Sequence, residues 1–137
     1  MKPFAWPVRV YWEDTDAGGI VYYANYFKFM ERARTEWLRS LGIEQRPLKE
    51  EQNLMFVVVE AQARFLKPAR YGDELVVTCE IAERARASLR FNQRVHLGST
   101  EGDVLIEGSV RAACLDATTM RPRGLPEPLR TAKIPEE

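Results

Sequence analysis

The sequence predicts a two-layer α+β domain in which one long helix packs on an antiparallel sheet. Between about Tyr23 and Leu41, apolar residues recur at steps of three and four, which is the spacing of one helix face. From Leu54 onward, apolar and polar residues alternate in four successive runs, as expected for strands with one buried face. A helix with a single apolar stripe needs an apolar surface to cover it, and one sheet supplies that surface.

The first part of the chain predicts a strand, a loop and the long helix. Val8, Val10 and Trp12 alternate with polar neighbours and predict the buried face of the first strand. The acidic, glycine-containing segment 13–19 is typical of a loop. The apolar stripe of the helix consists of Tyr26, Phe29, Met30, Ala33, Trp37, Leu38 and Leu41.

The remaining chain predicts one exposed connection, four strands and a tail. Residues 44–53 are polar and include Pro47, so we expect an exposed connection there. The inward-facing residues of the four runs are predicted to be Val57, Val59, Ala61, Ala63 and Phe65; Leu75, Val77, Cys79 and Ile81; Leu89, Phe91, Val95 and Leu97; and Val104, Ile106, Val110, Ala112 and Cys114. Short links between the runs favour an antiparallel meander. The tail from Thr118 is rich in proline and charge and is expected at the periphery.

Composition restricts the class of protein. The 137 residues fit a single domain over 1–137. Formal net charge is zero, which argues against a nucleic-acid partner, since such binders usually carry a basic excess. No apolar stretch approaches the roughly 18 residues of a membrane span, and the first residues lack the apolar core of a signal peptide, so we expect a cytoplasmic protein without membrane insertion. Cys79 and Cys114 have no metal or redox spacing and are expected to be buried thiols.

Four segments of the chain resemble one protein family. They are Val10–Tyr26 (VYWEDTDAGGIVYYANY), Phe29–Leu38 (FMERARTEWL), Pro68–Asp73 (PARYGD) and Met120–Arg123 (MRPR). They resemble the 4-hydroxybenzoyl-CoA thioesterase family, and within it the branch associated with the bacterial Tol-Pal system. The resemblance implies a hotdog fold, with a long central helix wrapped by a curved antiparallel sheet of about five strands. It also implies an acyl-CoA substrate, no cofactor, and a homodimer or homotetramer with active sites between subunits.

The resemblance implies a catalytic role for the loop before the helix. In the family pattern the position of Asp16 faces the thioester carbon, where a carboxylate attacks directly or activates water. Gly18 and Gly19 allow a tight turn and close approach to the substrate. The backbone N–H of Tyr23 is the expected oxyanion donor, because the helix N-terminus carries unpaired N–H groups. Asp14 is interpreted as a turn and capping residue.

Candidate substrate-binding residues lie outside this loop. Lys67 and Arg86 are predicted to bind coenzyme A phosphates, as is Ser88 at a tight strand connection; the alternative is an ordinary charged sheet edge. Tyr26 is a candidate for lining the acyl pocket, although its helical spacing also fits the core. No metal site is expected, because the Asp14–Asp16 pair lacks the later ligands of a calcium loop.

Other functions remain open at this level. Members of the Tol-Pal branch often carry histidine where this chain has Tyr23, so the substrate class does not transfer from the resemblance. His96 is the only histidine and sits on a predicted polar strand face, which disfavours a nucleophile triad. A non-catalytic acyl-CoA or partner-binding module and a thioesterase acting on acyl carrier protein are the alternatives.

Overall fold

A computed structural model describes residues 3–135 and confirms an α+β fold. The elements in this range are β1 (Phe4–Arg9), a short 3-10 helix (Trp12–Asp14), α1 (Asn25–Ser40), α2 (Gln45–Gln52), β2 (Leu54–Phe65), β3 (Glu74–Arg84), β4 (Ser88–Leu97) and β5 (Val104–Asp116). The strands form one antiparallel sheet in the order β1-β3-β4-β5-β2. The long helix α1 packs on one face of this sheet, and the core lies between the two layers.

The strand order corrects the predicted four-strand meander. β3, β4 and β5 do form a meander, but β2 pairs with β5 at the far edge and not with β3. Segment 66–73 connects β2 to β3 and has to cross three strand spacings, or about 14 Å at roughly 4.8 Å each. Eight extended residues can span about 26 Å, so even a short link permits this crossover.

The first strand begins and ends earlier than the sequence predicts. β1 stops at Arg9, and the Tyr11 N–H donates to Asp14 Oδ2 at 2.8 Å, which turns the chain away from the sheet. Val8 and Val10 are buried as expected, but Trp12 lies in the 3-10 helix and is 75% exposed. The prediction of Trp12 as a buried strand residue was therefore wrong.

The two helices differ in how well the sequence predicted them. α1 begins at Asn25 instead of Tyr23, and it buries the predicted stripe from Tyr26 to Leu38. Segment 44–53, expected to be an irregular connection, contains helix α2. Pro47 is tolerated because it lies in the first turn, where N–H groups lack helical acceptors. No helix within residues 3–135 is long and apolar enough to cross a membrane.

A buried glutamine interrupts the apolar face of β4 and ties the helix to the sheet. Leu89, Phe91 and Val95 are buried as predicted, whereas Leu97 at the strand end is exposed. Gln93 is also buried, and its Nε2 donates to the carbonyl oxygen of Met30 at 2.9 Å. Its Oε1 accepts a hydrogen bond from Arg34 Nη1 at 3.0 Å. The polar groups of Gln93 are thus paired, which removes the cost of burying them.

β2 does not bury the face that its alternation predicts. Val59 is 56% exposed and Phe65 is 50% exposed. β2 is an edge strand, and a bulge between Val58 and Glu60 shifts its register. The prediction of buried Val59 and Phe65 is therefore wrong for the single chain.

The tail is part of the core instead of the periphery. Leu125 and Leu129 are both buried in the main hydrophobic cluster. The Arg84 guanidinium donates to the carbonyl oxygens of Leu129 and Ala132, which fastens the tail to the end of β3. The apolar residues spaced between the prolines supply this anchor, and composition alone did not reveal it.

Both cysteines are free and buried, as predicted. Burial raises the pKa of the Cys79 thiol and also that of the Cys114 thiol. A buried thiol with a raised pKa is a poor nucleophile, so neither sulfur competes with a carboxylate for a catalytic role.

Gly108 lets α1 approach the sheet closely, and its replacement by alanine is expected to destabilise the fold. A Cβ at this position would lie 2.5 Å from Met30 Sδ, so the buried methionine has to move. We expect Gly108→Ala to lower the free energy of unfolding by about 1–3 kcal/mol, as for other overpacked cores. Urea denaturation measures this, with Gly124→Ala as control because its new Cβ would meet nothing closer than 3.4 Å. Equal stability of the two variants would contradict the close packing.

Candidate functional site

The loop before α1 holds Asp16 in a tight hairpin-like turn. Thr15 and Val21 form an isolated antiparallel bridge. Inside it, the Asp16 N–H donates to the Ile20 carbonyl oxygen at 2.9 Å, and the Gly19 N–H donates to the Asp16 carbonyl oxygen at 3.0 Å. The loop therefore has defined backbone geometry although it contains no regular element.

The Asp16 carboxylate is exposed and oriented by one backbone donor. Its Oδ1 accepts a hydrogen bond from the Gly18 N–H at 2.8 Å. A Cβ on Gly18 would lie 3.2 Å from that oxygen, and Gly19 has a left-handed φ of +78°, a conformation that costs an ordinary residue roughly 1–2 kcal/mol. The two glycines are thus suited to this turn, and the second carboxylate oxygen makes no hydrogen bond among residues 3–135.

The beginning of α1 offers unpaired backbone donors next to this loop. The N-cap residue is Ala24, whose side chain has no capping group. The Asn25 N–H donates to the Tyr22 carbonyl oxygen at 2.8 Å, whereas the N–H groups of Tyr23 and Ala24 find no acceptor in the described part of the chain. Exposed, unpaired N–H groups at a helix N-terminus form a site for developing negative charge.

Aromatic rings line the surface beside these donors. The Tyr23 ring centroid lies 4.9 Å from that of Tyr22 and 6.0 Å from that of Phe65, and all three side chains are exposed. The neighbouring Tyr23 side chain raises the pKa of Tyr22, and the charge of Asp16 adds a smaller contribution. Tyr22 therefore stays protonated at neutral pH and can donate a hydrogen bond.

Tyr26 is placed differently from these three rings. It is buried, and its hydroxyl accepts a hydrogen bond from the Ala69 N–H at 3.0 Å. Burial also raises the pKa of its hydroxyl. The Val21 N–H donates to the Ala69 carbonyl oxygen at 2.9 Å. Tyr26 and Val21 therefore both bind Ala69 and hold the end of the Asp16 loop against segment 66–73.

The predicted phosphate-binding residues do not come together in one chain. Lys67 lies just after β2, is exposed, and pairs with Asp103 at 3.1 Å. Arg86 and Ser88 lie at the tight β3–β4 connection, and the Ser88 hydroxyl accepts a hydrogen bond from Arg111. Strand β5 passes both Lys67 and the turn that holds Arg86 and Ser88. Measured along β5, at 3.3 Å per residue, Lys67 and that turn are about 26 Å apart. Lys67 and Arg86 therefore belong to opposite ends of the sheet.

Two features of this site were not predicted from the sequence. The Asn25 side chain donates from Nδ2 to the Asp14 carbonyl oxygen at 2.9 Å. The backbone carbonyl oxygen of Ala69 accepts the hydrogen bond from the Val21 N–H at the end of the loop. An amide residue at the first helical position was the available signal for Asn25. Ala69 contributes only backbone atoms, so its residue type carried no signal.

The geometry is that of a hotdog fold with an exposed carboxylate in the loop before a helix N-terminus. Residues 18–104 match the family model described as Thioesterase superfamily. The chain belongs to the thioesterase superfamily and is a thioester hydrolase.

Individual relatives agree with this family. Over 129 residues the chain is 43% identical to "Acyl-CoA thioesterase YbgC" of Haemophilus influenzae, covering 94% of this chain and 93% of the relative. It is 45% identical over 124 residues to "Acyl-CoA thioester hydrolase YbgC" of Escherichia coli O6:H1, covering 90% of each. Among solved structures, a 1,4-dihydroxy-2-naphthoyl-CoA thioesterase from Synechocystis has a TM-score of 0.86 at 22% identity, covering 95% of this chain and 94% of that one. This last likeness shows the fold.

Proposed function

We propose that the protein hydrolyses the thioester of small or medium acyl-CoA molecules, with Asp16 as its essential carboxylate. The observation that carries this proposal is the exposed Asp16 side chain, held at one oxygen by Gly18 and open at the other. The similarity to relatives named acyl-CoA thioesterases supports coenzyme A as the thiol carrier.

Asp16 can act by either of two routes. As a nucleophile, one carboxylate oxygen attacks the thioester carbon, the C–S bond breaks, and the coenzyme A thiolate leaves behind a mixed anhydride that water then hydrolyses. As a general base, Asp16 takes a proton from water while the water oxygen attacks the same carbon, and the departing thiolate takes up a proton. Both routes end with the free acid, coenzyme A and a regenerated carboxylate.

The Tyr23 N–H is the oxyanion donor in this proposal. Either route places negative charge on the former carbonyl oxygen, and the Tyr23 N–H has no competing acceptor among residues 3–135. The partial positive charge of the α1 N-terminus acts in the same direction. Loss of one such donor in other enzymes costs about 10²–10³ in rate.

The aromatic surface beside Asp16 is proposed to hold the acyl group. Tyr22, Tyr23 and Phe65 present exposed rings at this place, and rings of this kind bury a large apolar area. Tyr26 lies beneath them, with its ring centroid 6.0 Å from that of Phe65, and supports the acyl pocket from the core side.

A second subunit is proposed to complete the substrate site. Lys67 lies beside one end of β5, whereas Arg86 and Ser88 lie at the other end, so one chain does not present all three to one coenzyme A. The open edge of β2, with exposed Val58 and Val59, is the surface we propose for pairing, because unpaired strand edges readily add another strand. In a homodimer, or a tetramer built from it, Arg86 and Ser88 of one subunit would serve the Asp16 site of its partner.

Thiol release from a panel of acyl-CoA esters tests the proposed function. The panel contains short, long and aromatic acyl groups, and one acyl group is also presented on acyl carrier protein. We expect turnover of at least one coenzyme A ester, and the best ester identifies the acyl class. Faster turnover on the carrier protein would replace coenzyme A as the substrate, and measurable acyl-CoA binding without turnover of any ester would favour the non-catalytic module.

A further inference from the structure

A single carbonyl oxygen joins the Asp16 loop to the start of α1. The Asp14 carbonyl oxygen accepts two hydrogen bonds, one from the Tyr22 N–H and one from Asn25 Nδ2, both at 2.9 Å. Tyr22 precedes the proposed oxyanion donor Tyr23, and Asp14 precedes Asp16 by two residues. Together with the Thr15–Val21 bridge, these bonds therefore fix the position of the carboxylate relative to the donor amide.

Asn25 is the side chain through which α1 makes this connection. Within residues 3–135, it is the only α1 side chain hydrogen-bonded to segment 11–21. Its bond to Asp14 is half-buried, so water competes with it less than at the open surface. The other end of the loop is held separately, by the backbone bond between Val21 and Ala69.

This contact differs from ordinary helix capping. A capping asparagine sits before the first helical residue and accepts a backbone N–H through its side-chain oxygen. Asn25 is itself the first residue of α1 and uses its Nδ2 as a donor to a loop carbonyl oxygen. The bond therefore satisfies no N–H group of the helix, and its effect is to fix the position of the loop.

We propose that Asn25 is a positioning residue that holds Asp16 in register with the oxyanion donor at Tyr23. This inference rests on the proposed function, in which Asp16 performs the chemistry. Asn25 touches no reacting atom; it acts through the Asp14 carbonyl oxygen. Its contribution consequently falls on kcat, since misplacement of a reacting group by about 1 Å can cost as much as 10² in rate.

Asn25→Asp tests this role, because it keeps the shape of the side chain and removes the donor. A negative charge in the first helical turn favours the helix, so a role in helix stability alone predicts unchanged or raised stability and unchanged kcat. We expect kcat to fall by about 10–100-fold, with KM changed less than about threefold. Asn25→Ala, which adds no charge, is expected to change kcat in the same direction.

Asn92→Asp is the matched control, since Asn92 is exposed on β4 away from the loop and its change should leave kcat unaltered. Wild-type kcat in Asn25→Ala would overturn the inference, because a loss confined to Asn25→Asp would reflect only its added charge beside the oxyanion donor. Should Asn25→Asp fail to fold, as shown by circular dichroism, Asn25→Ala and Asn25→Ser provide the same comparison.

A double-mutant cycle with Asp16→Asn separates positioning from a general structural effect. If Asn25 acts through Asp16, Asn25→Asp lowers kcat in the wild type and lowers residual activity less than about twofold in Asp16→Asn. Equal losses in both backgrounds would reject the positioning role while leaving the proposed function intact. Full activity of Asp16→Asn would reject the proposed function itself, and any loss from Asn25→Asp would then be independent of Asp16.

Discussion

Replacing Asp16 with asparagine is expected to lower kcat by about 10²–10⁴-fold, the usual contribution of a positioned acid or base. The amide keeps the size of the side chain and its Oδ1 can still accept the Gly18 N–H. It is, however, neither a useful nucleophile nor a base, so the reaction loses its first step on either route. Steady-state thiol release on the best ester of the panel measures the effect.

Glu13→Gln is the matched control for this prediction. Glu13 is an exposed carboxylate three residues before Asp16, and it makes no hydrogen bond or ion pair within residues 3–135. Glu13→Gln removes one negative charge from the same loop, as Asp16→Asn does. If the rate depends on the chemistry of Asp16 and not on the loop charge, kcat of Glu13→Gln should stay within about twofold of the wild type. Comparable losses in both variants would mean that loop charge, and not the chemistry of Asp16, determines the rate.

Leu129→Ala is expected to lower the free energy of unfolding by about 2–5 kcal/mol, the range for a buried leucine. The Leu129 side chain is 0% exposed, although it lies in a proline-rich tail. Its removal leaves a cavity where the tail meets the sheet, and the bonds from Arg84 to the tail backbone limit collapse around it. Urea denaturation at one fixed protein concentration measures the change, because self-association would otherwise alter apparent stability.

Leu66→Ala supplies the comparison for Leu129. Leu66 is 45% exposed, so the same substitution should cost no more than about 0.5 kcal/mol, as for surface changes in general. If Leu129→Ala is no more destabilising than Leu66→Ala, the tail does not contribute to the core.

Periodicity predicted those parts of the fold in which one chain determines its own burial. The stripe of α1 and most of the inner faces of β3 to β5 are buried by neighbours in the same chain, so these patterns were confirmed. The exceptions are Leu97 and Val104, at strand ends, which are not fully buried. The alternation of β2 has the same form, but Val59 and Phe65 lie on an edge strand and stay exposed in the single chain. A pattern records that a face is apolar without recording what covers it.

Elements held by few apolar residues were not predictable in this way. α2 buries only Leu48, which is too little to produce a periodic signal. The tail is anchored by Leu125 and Leu129 among prolines and charges, and two residues do not define a period. Their packing depends on surfaces formed by distant parts of the chain.

In the candidate site, too, some residues were predictable from the sequence and others depend on contacts formed only in the folded chain. The loop around Asp16 was predicted because the motif specifies its residue types in order. Asn25 was missed because its function depends on which carbonyl oxygen its amide reaches, and that follows only from the folded loop. Lys67 and Arg86 seemed neighbours because both flank β3 in sequence, yet the first and last residues of an eleven-residue strand are about 33 Å apart.

The pairing of β2 with β5 has a consequence for synthesis on the ribosome. β2 ends at Phe65, but its partner strand begins at Val104, 39 residues later. At about 5–20 residues per second, roughly 2–8 s pass between these two events. During that interval the nascent chain carries the apolar run Met55–Val59 without its partner, and short runs of this composition are prone to aggregate. Glu60 and Arg64, which follow within the same strand, place charges where they oppose such association.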